Sequence, residues 1–218
     1  ELAAGVKKRG SKVTVPIVDL YAGVGGFSTG ARAAGHRIAI AVDGWDEAVH
    51  WHAQNHRETD HYLFWLPDAR LDALLPAPNT LWHLHGSPPC QLLSQAHGNQ
   101  VRSEKWDEGL DNVRYYLELA RTKKPASFSM EQVANTVVIR LCDEYKAKYP
   151  GWLDYEVVQM EEFGVPQTRK RLIAGSPHLV AKLLREALDR SPLFHNLDEE
   201  QAAEMVRSMR PCVAPINN

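Results

Sequence analysis

The run Val13-Thr14-Val15-Pro16-Ile17-Val18-Asp19-Leu20 breaks into the glycine-rich segment Ala22-Gly23-Val24-Gly25-Gly26, and that junction constrains the fold most. β-Branched residues suit a buried, pleated strand, and glycines let the next turn adopt backbone conformations closed to other residues. Phe27 to Ala34 then reads as a helix that Gly35 ends. Arg37 to Val42 is a second apolar strand closing on Asp43, and Glu47 to Asn55 is another helix. Two strands joined through a helix are a βαβ unit, and such strands lie parallel.

The alternation continues. Asp68 follows Pro67 near a further strand end, and Leu81 to His85 is the next strand. From Gln91 to Leu110 the chain is polar, lacks a hydrophobic period and reads as a loop. Asp111 to Thr122 predicts a helix with Val113, Tyr116, Leu117 and Ala120 on one face. Ala126 to Met130 predicts a short strand ending at Glu131, Thr136 to Lys148 a helix, and Tyr155 to Met160 a strand. Leu172 and Ile173 form another short strand after Arg169-Lys170-Arg171, and His178 to Leu188 and Asp198 to Met209 are late helices. The expected fold is α/β, a doubly wound, mostly parallel sheet in one domain over residues 1–218. Its core covers about 13–176, with 177–218 as a helical extension. Ligands of such sheets bind beyond the carboxyl ends of the strands. Asp19, Asp43, Asp68, Cys90 and Glu131 all fall at predicted strand ends, which argues for one shared site.

Composition narrows the setting. No apolar run reaches membrane-spanning length, and the basic N-terminal cluster has no apolar stretch behind it, unlike a secretory signal. The three cysteines, Cys90, Cys142 and Cys212, are scattered without a C-x-x-C pair, so neither a zinc knuckle nor a disulfide framework is expected. The expectation is an intracellular, reducing setting, with nucleus and bacterial or viral-host cytoplasm equally compatible. His50, His52 and His56, like His83 and His85, lack matching cysteines or carboxylates and read as solvated or packing side chains, with no metal expected. A net charge of −2 excludes nucleic-acid binding by bulk charge, yet leaves room for a local basic face around Arg102, Lys105, Arg169, Lys170 and Arg171.

Several residues carry chemistry. Cys90 stands behind Pro88 and Pro89 at a strand's end, where rigid backbone suits an attacking thiolate, although most buried cysteines are only small hydrophobes. The turn Asp19-Leu20-Tyr21-Ala22-Gly23-Val24-Gly25-Gly26 allows close approach of a ligand, and departs from the G-x-G-x-x-G dinucleotide pattern. Asp43 can accept from both hydroxyls of a ribose, with Trp45 offering a flat face to adenine; its plain reading is a helix cap. Asp68-Ala69 adds a carboxylate for an adenine amino group, or is a turn. Glu131 is a strand-end acid, and Arg169 and Arg171 would point the same way on an extended chain.

In this order, the glycine turn, acidic strand end, Pro88-Pro89-Cys90-Gln91, Glu131-Gln132-Val133 and Gln167-Thr168-Arg169-Lys170-Arg171 resemble the DNA cytosine-5 methyltransferase family over about Ile17 to Ala174. The resemblance implies a Rossmann-like S-adenosylmethionine-dependent fold, with S-adenosylhomocysteine as product and double-stranded DNA as partner. It implies Cys90 as the nucleophile on carbon 6 of a flipped cytosine, Glu131 on the base's N3 and amine, and Arg171 with Arg169 on its carbonyl. Cofactor contacts would come from Asp19, Tyr21, Ala22, Gly23, Gly25, Gly26, Asp43, Gly44, Trp45, Asp68, Ala69 and Pro88. Substrate contacts would come from Gln91, Ser94 and Gln167. The segment from Gln91 to Leu110 would be the lid over the flipped base.

Departures accompany the match. Gln132 stands where the family usually has Asn, Leu92 and Leu93 replace a small-aromatic pair, and Gly44 has no side chain where the family often has a bulky one. After Gly175 the family has a target-recognition region and closing motifs, and Ser176 to Asn218 shows neither. The expectation is a catalytic lobe whose remainder lies elsewhere, in a longer chain or a second subunit. The alternatives are a silent, methyltransferase-like binding module and the transfer-RNA branch of the family, whose Cys-Phe-Thr signature is absent here. A nicotinamide-dependent oxidoreductase is the weakest rival, because Gly23-x-Gly25-Gly26 has the wrong spacing.

Overall fold

The computed structural model describes residues 15–89, 104–163 and 168–190, with side chains over 15–89, 109–163 and 168–185. Strands β1 (Pro16–Leu20), β2 (Arg37–Asp43), β3 (Asp60–Leu63), β4 (His83–Gly86), β5 (Ser127–Val133), β6 (Asp154–Gln159) and β7 (Lys170–Gly175) form one seven-stranded sheet. Its order is β3-β2-β1-β4-β5-β7-β6. β1 pairs in parallel with β2 on one side and β4 on the other, so the winding direction reverses between β1 and β4. That is the switch point at which doubly wound sheets open a ligand crevice. β7 runs antiparallel to both of its neighbours. The link from Gln159 to Lys170 is too short for the crossover that parallel pairing requires.

The helices are α1 (Gly26–Ala33), α2 (Asp46–Asn55), the single turn α3 (Leu71–Leu74), α4 (Glu104–Lys123), α5 (Thr136–Lys148) and α6 (Pro177–Arg190). The expected face of α4 is the buried one: Val113, Tyr116 and Leu117 are fully buried, packed with Val18, Leu20, Leu84 and Met130 of the sheet. Tyr116 also fixes the strands it covers, because its hydroxyl donates toward the carbonyl oxygens of Leu84 (3.0 Å) and Ser129 (2.7 Å). Leaving such a buried group unmatched costs roughly 1–3 kcal/mol. A Cβ on Gly86 would clash with the Tyr116 ring at Cδ2 and Cε2. The helix α5 begins and ends at the expected residues and is capped by Asn135, whose side chain accepts from the Val137 amide at 2.9 Å.

Several sequence expectations are corrected. Helix α4 starts at Glu104, so 104–110 is helical and not loop; Gly109, a loop signal by type, is buried within it. Asp68 is not at a strand end, because β3 stops at Leu63. Four residues paired only to β2 are too short a strand for alternation to reveal. Glu131 lies inside β5, which continues to Val133 because β7 pairs alongside it. Arg171 lies inside β7 and not before it. The expected helix from Asp198 to Met209 lies outside the described residues. No described helix is long and apolar enough to cross a membrane.

Candidate active site

Two groups of side chains flank the switch point. The first is built on the turn after β1. Tyr21 (φ 55°) and Gly25 (φ 94°) both take left-handed backbone conformations, and for a bulky tyrosine that is an uncommon, strained choice. The turn is held by main chain: Ala22 N–H donates to Val42 O at 3.1 Å, and Gly23 N–H to Asp43 Oδ2 at 2.8 Å. Asp43 Oδ1 accepts from Trp45 N–H at 2.8 Å. One carboxylate therefore joins the glycine turn to the start of α2, and each oxygen still has accepting capacity.

Beneath the turn lies a directed chain of hydrogen bonds. Ser28 Oγ–H donates to Asp19 Oδ2 at 2.7 Å, so Ser28 Oγ accepts from His52 Nε2–H at 3.1 Å. His52 Nδ1 is then the acceptor for His61 Nε2–H, 2.8 Å away. Burial pushes the Asp19 carboxyl up to about 7, with Ser28 opposing and Asp43 adding to the shift. Among the described residues, Asp19 Oδ1 is buried without a hydrogen-bond partner. His52 is pushed down to about 4, first by burial and then by His56 and His61. The imidazoles of His52 and His56 pack so closely under Gly25 that any Cβ there would strike both.

The second group is built on β4, β5 and β7. Ser87 N–H donates to Leu20 O at 3.2 Å, which ties the end of β4 to that of β1. Gln132 is 1% exposed; its Nε2 donates to Pro88 O at 3.1 Å and its Oε1 accepts from Val133 N–H at 2.7 Å. Next to it, Glu131 Oε1 lies 2.6 Å from Arg171 Nε and 3.9 Å from Arg169 Nη2. Arg171 Nη1 also donates to Lys170 O at 2.6 Å. The expected same-side placement of Arg169 and Arg171 therefore holds, and both converge on Glu131. A ladder runs along the β4–β5 pair: His83 bridges Ser127 (2.8 Å) and Ser129 (2.9 Å), while His85 bridges Ser129 (2.9 Å) and Ser87 (3.2 Å). His85 also stacks on Phe27, with centroids 3.4 Å apart. Burial holds His83 near 4 and His85 well below its ordinary range.

Of the residues singled out by sequence, Asp19, Tyr21 to Gly26, Asp43, Gly44, Trp45 and Pro88 meet around the ends of β1, β2 and β4, and Glu131, Arg169 and Arg171 meet on β5 and β7. The Asp68 carboxylate accepts from Arg70 N–H, Nε and Nη2 at 2.7–2.9 Å, and those bonds hold it down to about 2. Ala69 follows it in the same exposed turn. Cys90, Gln91, Ser94 and Gln167 lie outside the described residues. Sequence reading missed Ser28, the part played by Gln132, and Trp65, an indole 69% exposed that lies against Gly44. Among the described residues no group of three or more His, Cys, Asp and Glu could hold a metal ion.

A family model described as C-5 cytosine-specific DNA methylase matches residues 15–181. The Type II methyltransferase M.HgiDI of Herpetosiphon aurantiacus is 31% identical over 192 residues, covering 81% of this chain and 58% of its own. M.MthTI of Methanothermobacter thermautotrophicus is 27% identical over 168 residues, covering 73% of this chain and 48% of its own. The chain thus spans about half the length of the curated relatives it matches. Among solved structures, the Entamoeba histolytica methyltransferase EhMeth superposes with a TM-score of 0.56 at 17% identity, over 75% of this chain and 53% of that one. The human methyltransferase 10 domain containing protein gives 0.54 at 12% identity, over 79% and 75%. These two likenesses bear on the fold alone. With the motifs in order, the switch-point site and the family match over most of its length, the chain belongs to the C-5 cytosine-specific DNA methylases.

Proposed function

We propose that this chain is the catalytic domain of a DNA (cytosine-5-)-methyltransferase that takes its methyl group from S-adenosylmethionine, with target recognition supplied by a further portion of chain or a second subunit. The observation that carries the reading is the link between the nucleophile segment and the acid–base pair. Gln132 grips the Pro88 carbonyl, two residues before Cys90, while the adjacent Glu131 is held by Arg171.

The turn fits the cofactor. Among the described residues, nothing fills the space beyond Gly23 and Gly26, Asp43 keeps accepting capacity for ribose hydroxyls, and Asp19 has one unmatched oxygen beneath the loop. Tyr21, Ala22, Gly25 and Pro88 would line the same crevice, and an exposed indole beside Asp43 would cover the purine. Asp68 and Ala69 would sit at its outer edge. The bound cofactor supplies an electrophilic methyl group.

The chain's own residues prepare the base to accept it. Cys90 thiolate adds to carbon 6 of cytosine, and the electron pair displaced from the C5–C6 bond makes carbon 5 nucleophilic. Glu131 holds N3 and the exocyclic amine. Arg171 spends Nε on Glu131 and Nη1 on Lys170 O, which leaves guanidinium donors for the base carbonyl, with Arg169 in support. After methylation, a base, for which solvent water suffices, takes the carbon-5 proton; the C5–H electron pair re-forms the C5–C6 double bond and the C6–S bond breaks to release Cys90 as thiolate. Gln91, Ser94 and Gln167 would contact the DNA around the flipped base, whose extrusion costs a few kcal/mol.

The test is covalent trapping on 5-fluorocytosine DNA with S-adenosylmethionine, wild type beside Cys90→Ala. A protein–DNA adduct that requires Cys90 is expected. No adduct from a chain that still binds S-adenosylhomocysteine would reduce it to a binding module on its own.

A further inference from the structure

We infer that Trp65, and not Trp45, is the surface on which the cofactor's purine lies, and that position 44 is glycine because the Trp65 indole occupies the place of a side chain there. This rests on the cofactor reading above and adds the residue that receives the base.

The geometry comes from the β2–β3 edge. Asp43 pairs with Leu63, and Phe64 N–H donates to Asp43 O at 3.0 Å, so the chain leaving β3 continues alongside the end of β2. On extended backbone successive side chains alternate. Phe64 is 6% exposed and turns into the core, whereas Trp65 is 69% exposed. A Cβ built on Gly44 would fall over the middle of that indole, against Cδ2, Cε3 and Cε2. Three adjacent ring atoms around one point describe contact through the ring face. One face of Trp65 is therefore backed by the main chain of Gly44, and most of the side chain remains open to solvent.

A flat ring with a rigid backing and an open surface is what base stacking requires, because little mobility is lost when the base arrives. Its position sets the ligand. Gly44 follows Asp43 directly, so a nucleoside whose ribose hydroxyls reach the Asp43 carboxylate carries its base toward the indole seated on the next residue. Trp45 is also exposed, but its backbone amide is bound to Asp43 Oδ1, and it departs with α2. An aromatic at position 44 and an aromatic at position 65 would compete for the same space. This chain has the second arrangement.

The experiment is calorimetric titration with S-adenosylhomocysteine, with thermal melting of each variant as a check on folding. Trp65→Ala should lose about tenfold or more in affinity, the scale of one base–aromatic stack, and Trp65→Phe should keep most of it. Trp45→Ala should stay within about twofold of wild type. Gly44→Ala should weaken binding although Trp65 is still present, because the methyl group displaces the indole. The double variant Gly44→Trp with Trp65→Ala should regain affinity by returning an aromatic to the strand end, a rescue that a purely structural role for Trp65 would not produce. Full affinity in a folded Trp65→Ala, with the loss appearing in Trp45→Ala, overturns the assignment and leaves the cofactor reading standing. A wild-type chain that binds no S-adenosylhomocysteine overturns both.

Discussion

The two halves of the site, on either side of β1, are built by different means. The β1–β2–β3 half is shaped by backbone: left-handed turn residues, amides converging on Asp43, and imidazoles packed under Gly25. The β4–β5–β7 half is built from charges held against one another, Glu131 with Arg171 and Arg169, and set in place by the Gln132 amide. Shape made of main chain binds without changing state. Opposed charges can be redistributed when a base enters between them. The difference suits one half to holding a cofactor and the other to chemistry.

The largest expected effect separates the halves. Glu131→Gln and Arg171→Ala should each lower the rate of adduct formation by about 10²–10³-fold, the scale of losing one preorganised partner of a developing charge. Both should leave S-adenosylhomocysteine affinity within twofold or so, as read by single-turnover trapping beside calorimetry. If both variants lose cofactor affinity in step with rate, the halves are not independent and the comparison fails.

A smaller effect tests the join. Gln132→Leu strips a buried carbonyl and a half-buried amide of their partners, at a cost of roughly 1–3 kcal/mol. The melting temperature should fall, and the adduct rate should fall with it because Pro88 is no longer held. Gln132→Asn, one methylene shorter, should keep one of the two bonds and land between. An adduct rate unmoved by Gln132→Leu would mean that Pro88 needs no such grip.

The smallest effect has the clearest sign. His52 and His83 are held near 4 and His85 well below its ordinary range, so each stays neutral in the fold while the unfolded chain takes up protons below about 6.5. Their contribution is complete above that pH and erodes as pH falls toward 4. Asp19, raised to about 7, acts oppositely: it keeps a proton that the unfolded chain has lost, and its contribution fades as pH rises from about 4 through 7. The histidines outnumber it, so urea midpoints should rise with pH between about 4 and 6.5. His83→Gln, in the charged half, should flatten that slope by about one proton, and Asp19→Asn, in the backbone half, should steepen it by about one. Slopes that both variants leave unchanged would show that these groups titrate as in the unfolded chain.

Local features were legible in the sequence. Thr136 to Lys148 was expected as a helix, and the helix falls on those residues, because what forms it is local to the segment. The glycine turn and the acid closing β2 were equally plain, because special backbone demands special residues. What escaped depends on neighbours distant in sequence. Glu131 looked like a strand end because nothing local shows that β7 extends the pairing to Val133. Gln132 looked like a longer substitute for Asn until its amide was seen to reach Pro88, 44 residues away. Trp65 could be noticed only with Gly44, whose missing side chain looked like a loss and is an accommodation. The start of α4 was hidden by a charged stretch and a glycine that tertiary packing holds helical.

The histidine–serine ladder between β4 and β5 has a mechanical consequence. Main-chain bonds between parallel strands look alike at every step, so they resist sliding only weakly. Side chains repeat every second residue, and a slip by one would turn His83 and His85 to the opposite face and strand Ser127 and Ser129 without partners. The two imidazoles therefore act as dowels pinning one plank to the next. What they pin is the alignment of Ser87 and Pro88 with Glu131, so the attacking segment and the acid that receives its target are indexed to one another before any ligand arrives.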